Sequence, residues 1–235
     1  MRAERIFPGR GVLMPYICLL LSGAALLING LATLGHVPRR DASVLSLAVG
    51  CVQLVLGVVF LSPGPSADGA LTAAGMFLFG LTYLYVGLDF LLDLGSKGLG
   101  WFCGMVACVG LLLAAAWLAE DPLLAVLWLG WSLLWGLFFA SMALGLSRVE
   151  RFTGWALVLT SQVSATVPAF LGLAGLWPRS PMVAAAAAAV LAGLFAAAGV
   201  LARRTPTHGK ARSGAAAPDR AVSKTLSAAG GEAAR

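Results

Sequence analysis

From Leu13 onward the chain is a succession of long apolar runs cut by brief polar breaks. Seven runs, at 13–35, 43–62, 70–92, 100–119, 123–147, 153–177 and 182–202, have the length needed to cross a hydrocarbon core about 30 Å thick. The breaks carry turn chemistry: HVPRRDAS, SPGPSADG, LGSKG, AEDP, SRVER and PRSP. Apolar and polar positions do not alternate with period two, so strands closed into a barrel are not expected. Helices are, because inside lipid every peptide group must find its partner within its own segment. The pattern predicts an all-α polytopic membrane protein.

Two of the runs stand apart. Ala125 to Ala143, AVLWLGWSLLWGLFFASMA, has no charge, and its three indoles, Trp128, Trp131 and Trp135, fall at i, i+3 and i+7. That spacing puts them on one helical face. Counted from Pro122, Trp131 lies about 14 Å and Trp135 about 20 Å along the axis, mid-membrane depths where tryptophan does not usually gather. Large aromatics there either fill a helix–helix seam or wall an interior passage; three on one face point to the passage. The seventh run, MVAAAAAAVLAGLFAAAGVLA, is nearly all alanine and suits close packing against a neighbour. It holds no polar handle for chemistry and is expected to be a peripheral addition.

Composition fits this picture: 60% of the 235 residues are hydrophobic and 11% charged, against about 25% charged in a soluble domain. The net charge of +6 is no sign of nucleic-acid binding, since seven of the sixteen Lys and Arg follow Ala202. The organisation expected is an arm at 1–12, six spans over 13–177, an additional transmembrane helix within 178–202, and a disordered basic tail at 203–235. Four Lys and Arg fall on the side of the arm and twelve on the side of the tail, which predicts the N-terminus outside and the C-terminus cytoplasmic in the plasma membrane. Were Met14 the true start, the short loops alone would give that orientation. Cys18, Cys51, Cys103 and Cys108 lack CxxC spacing and are expected to be small buried hydrophobes. His36 and His208 have no partner at ligand spacing, so neither metal nor other cofactor is expected. There is no Ser–His or Cys–His pair, no HExxH and no phosphate-binding glycine loop, which speaks against an enzyme.

Polar groups inside spans are costly and therefore candidates for function. Asn29 lies in the first span, Gln53 in the second, Tyr83, Tyr85 and Asp89 in the third, Ser132 and Ser141 in the fifth, and Thr160 to Thr166 ahead of Pro168 in the sixth. Asn29 either joins two helices or offers a donor and an acceptor to a solute. Asp89 either pairs near the interface, with Lys97 as candidate, or stands at the inner mouth of a pore. Serine and threonine in the sixth span are expected to bond back to their own helix.

LLINGL (26–31), LFGLTYLYVGLD (78–89), WLGWSLLW (128–135) and FTGWALVLTSQVSATVPAF (152–170), in this order on six spans, resemble the AmiS/UreI family of amide and urea channels. The resemblance covers residues 13–177. It implies a six-helix protomer with its own pore, assembled as a homo-hexamer in the lipid bilayer, that passes urea or short aliphatic amides without ion coupling. It further implies pore constrictions at Leu19 and Leu26, at Leu81 and Tyr85, and at Trp131, Leu134 and Trp135. Thr160 stands where the urea channel has a pore-facing glutamate, and Asp89 where it has an asparagine. Leu81 replaces an aromatic residue. These departures leave room for an amide other than urea. The acid-gated branch bears histidines in its outer loops; the loops at 63–69, 120–122 and 178–181 have none, so no acid gating is expected. The competing readings are an ion-coupled transporter using Asp89 and a non-transporting membrane sensor or anchor.

Overall fold

The computed structural model describes residues 10–62 and 66–204. The expected arm up to residue 9, part of the 63–69 turn and the tail beyond Arg204 lie outside the described residues. Within them the chain forms seven apolar helical spans within a few residues of the expected bounds. They are α1 (Arg10–Thr33), α2 (Arg39–Leu61), α3 (Ala67–Leu92), α4 (Lys97–Trp117), α5 (Pro122–Phe138), the jointed pair α6 (Glu150–Ser161) and α7 (Val167–Leu173), and α8 (Pro181–Arg204). No strand is present among the described residues. The protein is an all-α polytopic membrane protein.

Local chemistry sets the boundaries. The Ser66 side chain accepts the Gly69 N–H at the start of α3, and Asp121 accepts the Leu124 N–H at the start of α5, where Pro122 takes the first helical position. The sixth span is one helix with a joint. Pro168 has no N–H to donate, and the turn ahead of it widens over Gln162–Thr166, where the Val167 N–H reaches the Gln162 carbonyl five residues back. A similar wide turn, Phe139–Ala143, ends the fifth span.

In lipid there is little hydrophobic gain from bringing helices together, so close contact of backbones and side chains must hold the bundle. The α2–α3 pair is the most extensive, and it is built on glycine. A Cβ on Gly50 would stand 2.6 Å from the Leu84 nitrogen and one on Gly87 2.6 Å from Leu47 Cγ. Around the bundle α1 packs on α2, α6 and α7, and α4 packs on α5. Direct contact between α5 and α6 is slight, and α8 packs on both. Its buried residues, Ala184, Leu191 and Ala198, recur every seven positions; Leu191 meets α5 at Gly130 and Phe195 meets Phe152 of α6. The Ala-rich helix is therefore peripheral and closes the outside of the α5/α6 seam. Large apolar side chains such as Val55, Leu112 and Phe170 remain exposed, as expected of a surface that meets acyl chains or a neighbouring protomer. Cys18 and Cys103 are buried as expected, but Cys51 and Cys108 face outward, because they fall on the outer faces of α2 and α4.

Candidate functional site

The three indoles of α5 point inward: Trp128, Trp131 and Trp135 are 4%, 3% and 5% exposed. Opposite them is Phe79 of α3. It is twelve residues into its helix, or about 18 Å along the axis, between the depths of Trp131 and Trp135. Phe79 is the hub of an aromatic cluster. Its ring centroid is 5.0 Å from Trp131, edge to face at 87°, 4.7 Å from Trp135, 5.9 Å from Trp128 and 6.0 Å from Tyr83. Trp128 and Trp135 lie nearly parallel, with centroids 6.2 Å apart. Gly75 makes the fit possible, since a Cβ there would stand 2.7 Å from Trp128 Cζ2.

Hollow space lies on both sides of this cluster. The upper chamber, of about 520 Å³, is walled by α1 (Tyr16, Leu19, Ser22), α3 (Thr72, Met76, Phe79) and α5 (Leu124, Trp128, Trp131). Exposed Asp68 and Arg179 stand at its rim, so it opens at the end of the bundle where α1, α3 and α5 begin. The lower chamber, of about 20 Å³, is enclosed by Leu26, Asn29, Thr82, Tyr83, Leu134 and Trp135 among others. That is room for a single water. Phe79 and Trp131 line both spaces and form the partition between them.

Polar groups support the walls. The Trp131 indole N–H donates to Ser164 Oγ at 3.2 Å, in the widened turn ahead of Pro168. The joint in the sixth span thus carries the acceptor that orients a wall residue. The Ser46 hydroxyl donates to the side-chain Oδ1 of Asn29 at 3.1 Å, so Asn29 both joins α1 to α2 and lines the lower chamber. Gln53 donates to the Cys18 carbonyl at 2.8 Å and to Ser22 Oγ at 2.9 Å, and the Tyr83 hydroxyl donates to the Ser22 carbonyl at 3.3 Å. Ser22 and Cys18 are the members of this set that line the upper chamber.

The residues singled out by sequence divide into two groups. Leu19 lines the upper chamber; Leu26, Asn29, Leu134 and Trp135 line the lower one; Trp131 touches both. Leu81, Tyr85, Asp89 and Thr160 line neither. Leu81 is 43% exposed on the outside of α3. Tyr85 packs against Phe102 of α4, with centroids 6.2 Å apart and its hydroxyl against Gly98. The inward stripe of α3 is Thr72, Met76, Phe79, Tyr83 and Val86, and a step of two residues turns a side chain about 200° around the helix. At about 100° per residue, Leu81 and Tyr85 both fall about 140–180° from the centre of that stripe. The stripe's alternating spacing of four and three was visible in the sequence and marks Phe79, which the motif resemblance passed over. Thr160 is fully buried, and its hydroxyl donates to the Ala156 carbonyl of its own helix at 2.7 Å.

Asp89 is fully buried and lines neither chamber. Its carboxylate accepts the Ser96 N–H at 2.8 Å and the Ser96 hydroxyl at 2.5 Å, and pairs with Arg39 at 3.4 Å. The Arg39 guanidinium also lies 4.4 Å above the Phe90 ring. The partner is thus Arg39, not Lys97, because Ser96 and Arg39 close the polar turns at that end of the bundle. Asp89 pins the α3–α4 turn to the start of α2.

Spanning helices around two aromatic-walled chambers are the architecture of a membrane transport protein. The chain belongs to the AmiS/UreI family of transporters, whose model matches residues 14–176. It is 45% identical over 192 residues to the putative transporter protein AmiS2 of Rhodococcus erythropolis, covering 80% of this chain and 93% of that protein. It is 37% identical over 173 residues to a putative amidate substrates transporter protein of Mycolicibacterium smegmatis, covering 72% and 80%. Among solved structures it is similar to the crystal structure of the urea channel of Helicobacter pylori. The TM-score is 0.64 at 26% identity, with 70% of this chain and 99% of that one covered. The helix α8 lies beyond the segment that the family model matches.

Proposed function

We propose that the protein is a passive channel for small neutral amides, with solute crossing an aromatic-lined pore inside each protomer. The observation that carries this reading is the pair of chambers separated by the Phe79–Trp131 partition at mid-membrane depth. Amides and urea are planar, uncharged and polar. Ring faces meet the plane of such a molecule, while hydroxyl and amide groups along the wall (Ser22, Asn29, Thr82 and Tyr83) replace part of its lost water. An ion finds no such compensation: an unpaired charge in an apolar constriction costs far more than a neutral polar group, and a dry partition breaks any continuous water wire. The lower chamber is too small for an amide as it stands, so passage requires the rings of Phe79, Trp131 and Trp135 to swing aside. Side-chain motion of that kind gates flow without a coupled ion.

Several features support the finer points of this reading. The relatives bear the names of transporters and a urea channel, and no described chamber residue offers a nucleophile with its base, which favours transport over catalysis. The Lys and Arg distribution favours an upper end that faces outward, with the C-terminus in the cytoplasm. The exposed apolar faces of α2 and α4 suit the lipid and neighbour contacts of a homo-hexamer. The ion-coupled alternative draws no support from Asp89, whose carboxylate is held by Ser96 and Arg39 away from both chambers. The test is stopped-flow swelling of proteoliposomes in acetamide and urea gradients. Permeability well above that of empty vesicles, with no accumulation against a gradient, is expected; vesicles no leakier than empty ones would refute the channel.

A further inference from the structure

The upper chamber has a lip outside the spanning helices. Its mouth is completed by Trp177 and Arg179, on the linker between α7 and α8. Local chemistry directs that linker across the opening. Gly175 turns the chain with φ +70°, a conformation that disfavours a side chain, and the Leu176 N–H closes the turn on the Leu171 carbonyl at 2.8 Å. Beyond the opening, α8 braces the linker's far end on α5 and α6.

Trp177 is then fixed in place. Its indole N–H donates to Asp121 Oδ2 at 2.7 Å, and the other oxygen of that carboxylate takes the Leu124 N–H at the start of α5. On the remaining side its ring lies 5.4 Å from Tyr16, tilted by 34°. Tyr16 in turn rests against Gly172, where a Cβ would collide with its ring. Two aromatic rings at a half-buried mouth, both anchored, give an apolar surface that is preorganised and gives up little freedom when a solute settles on it.

We propose that the α7–α8 linker makes a specificity lip, in which Trp177 and Tyr16 hold the apolar part of carboxamides larger than urea, branched aliphatic or aromatic. The inference rests on the channel reading and names its substrate class. Urea carries no apolar substituent and so gains less from the rings of the lip than a carboxamide that has one. A carboxamide with an apolar substituent can lay that substituent on the rings while its amide meets the rim. There, Asp68 accepts from the amide nitrogen and Arg179 donates to the carbonyl. The chamber's volume of about 520 Å³ falls within the range of pockets that enclose ligands much larger than urea.

The experiment measures benzamide inhibition of acetamide flux, and urea permeability, in proteoliposomes of the full chain. Trp177→Ala should weaken benzamide inhibition about tenfold, the scale of a single aromatic pairing, and do so by much more than it changes urea permeability. Trp177→Phe keeps a ring but drops the donor to Asp121. It should lie between wild type and Trp177→Ala, and it carries the test if the alanine variant fails to insert. Unaltered benzamide inhibition in the inserted variants would overturn the proposal, as would a parallel loss for benzamide and urea. Wild-type vesicles no more permeable than empty ones would instead overturn the channel reading, and the lip with it.

Discussion

The two chambers share a wall and differ in nearly everything else. The upper one encloses about 520 Å³ and has charged residues at its rim; the lower encloses about 20 Å³ and has no charged residue in its lining. One has space for a solute to lose water and find its orientation. The other is a closed slot in which rings of α3 and α5 already touch. The difference teaches where selection takes place. If solute crosses between the chambers as proposed, discrimination by size and polarity belongs to the partition, which it must move, whereas the upper chamber favours some solutes among those that arrive.

Breaking the partition should therefore have the largest effect. Trp131→Ala removes a ring from both chambers and is expected to change the ratio of acetamide to urea permeability about tenfold, in keeping with an indole that packs against aromatic rings on several sides. Trp135→Ala, which touches the lower chamber alone, should shift the same ratio less. Unchanged rates and ratios in both variants would remove the pore-wall role of α5. A smaller effect, on the order of threefold, is expected from Ser164→Ala, which leaves the Trp131 ring in place but withdraws the acceptor of its N–H. The swelling assay that reads the tryptophan variants reads this one too.

Asp89→Asn sharpens the comparison from outside the passage. With the ion pair to Arg39 gone but an oxygen left to accept from Ser96, thermal stability in detergent should fall by about 1–3 kcal/mol. Amide flux should stay within about twofold of wild type, because the carboxylate lines neither chamber. Loss of an uphill accumulation in this variant would restore the coupled-transporter reading. The smallest expected effect is that of pH. The loops at 63–69, 120–122 and 178–181 contain no histidine, so amide permeability should remain flat across the range where histidine titrates, about pH 5 to 7.5. A steep rise on acidification would show that another group gates the mouth.

Much of this was legible in the chain. Runs of spanning length and turn residues between them placed the seven spans, because a lipid environment leaves the backbone few choices. The indole spacing in α5 announced an inward face, and the alanine content of the last span announced a helix that packs without contributing chemistry. What escaped was rotational register in α3. Motif resemblance pointed to Leu81 and Tyr85, whereas the face is set by which side of α3 lies on α2 through Gly50, Gly80 and Gly87 and which side remains for Phe79. Asp89 escaped for a different reason. A carboxylate beside a turn can face a pore or fasten two turns together, and its partners Arg39 and Ser96 are 50 and 7 residues away. Trp177 was invisible as a mouth residue, since only the turn at Gly175 and the anchored Asp121 bring it over the opening.

The most direct test of the partition is Phe79→Ala, read as paired acetamide and glycerol permeabilities of proteoliposomes. If the Phe79 ring is what separates the chambers, its removal joins them into one wider passage, and the amide-to-glycerol ratio falls as the bulkier, non-planar polyol gains entry. An unchanged ratio in a properly inserted Phe79→Ala protein would contradict the account, because solute would then be passing somewhere other than between α3 and α5.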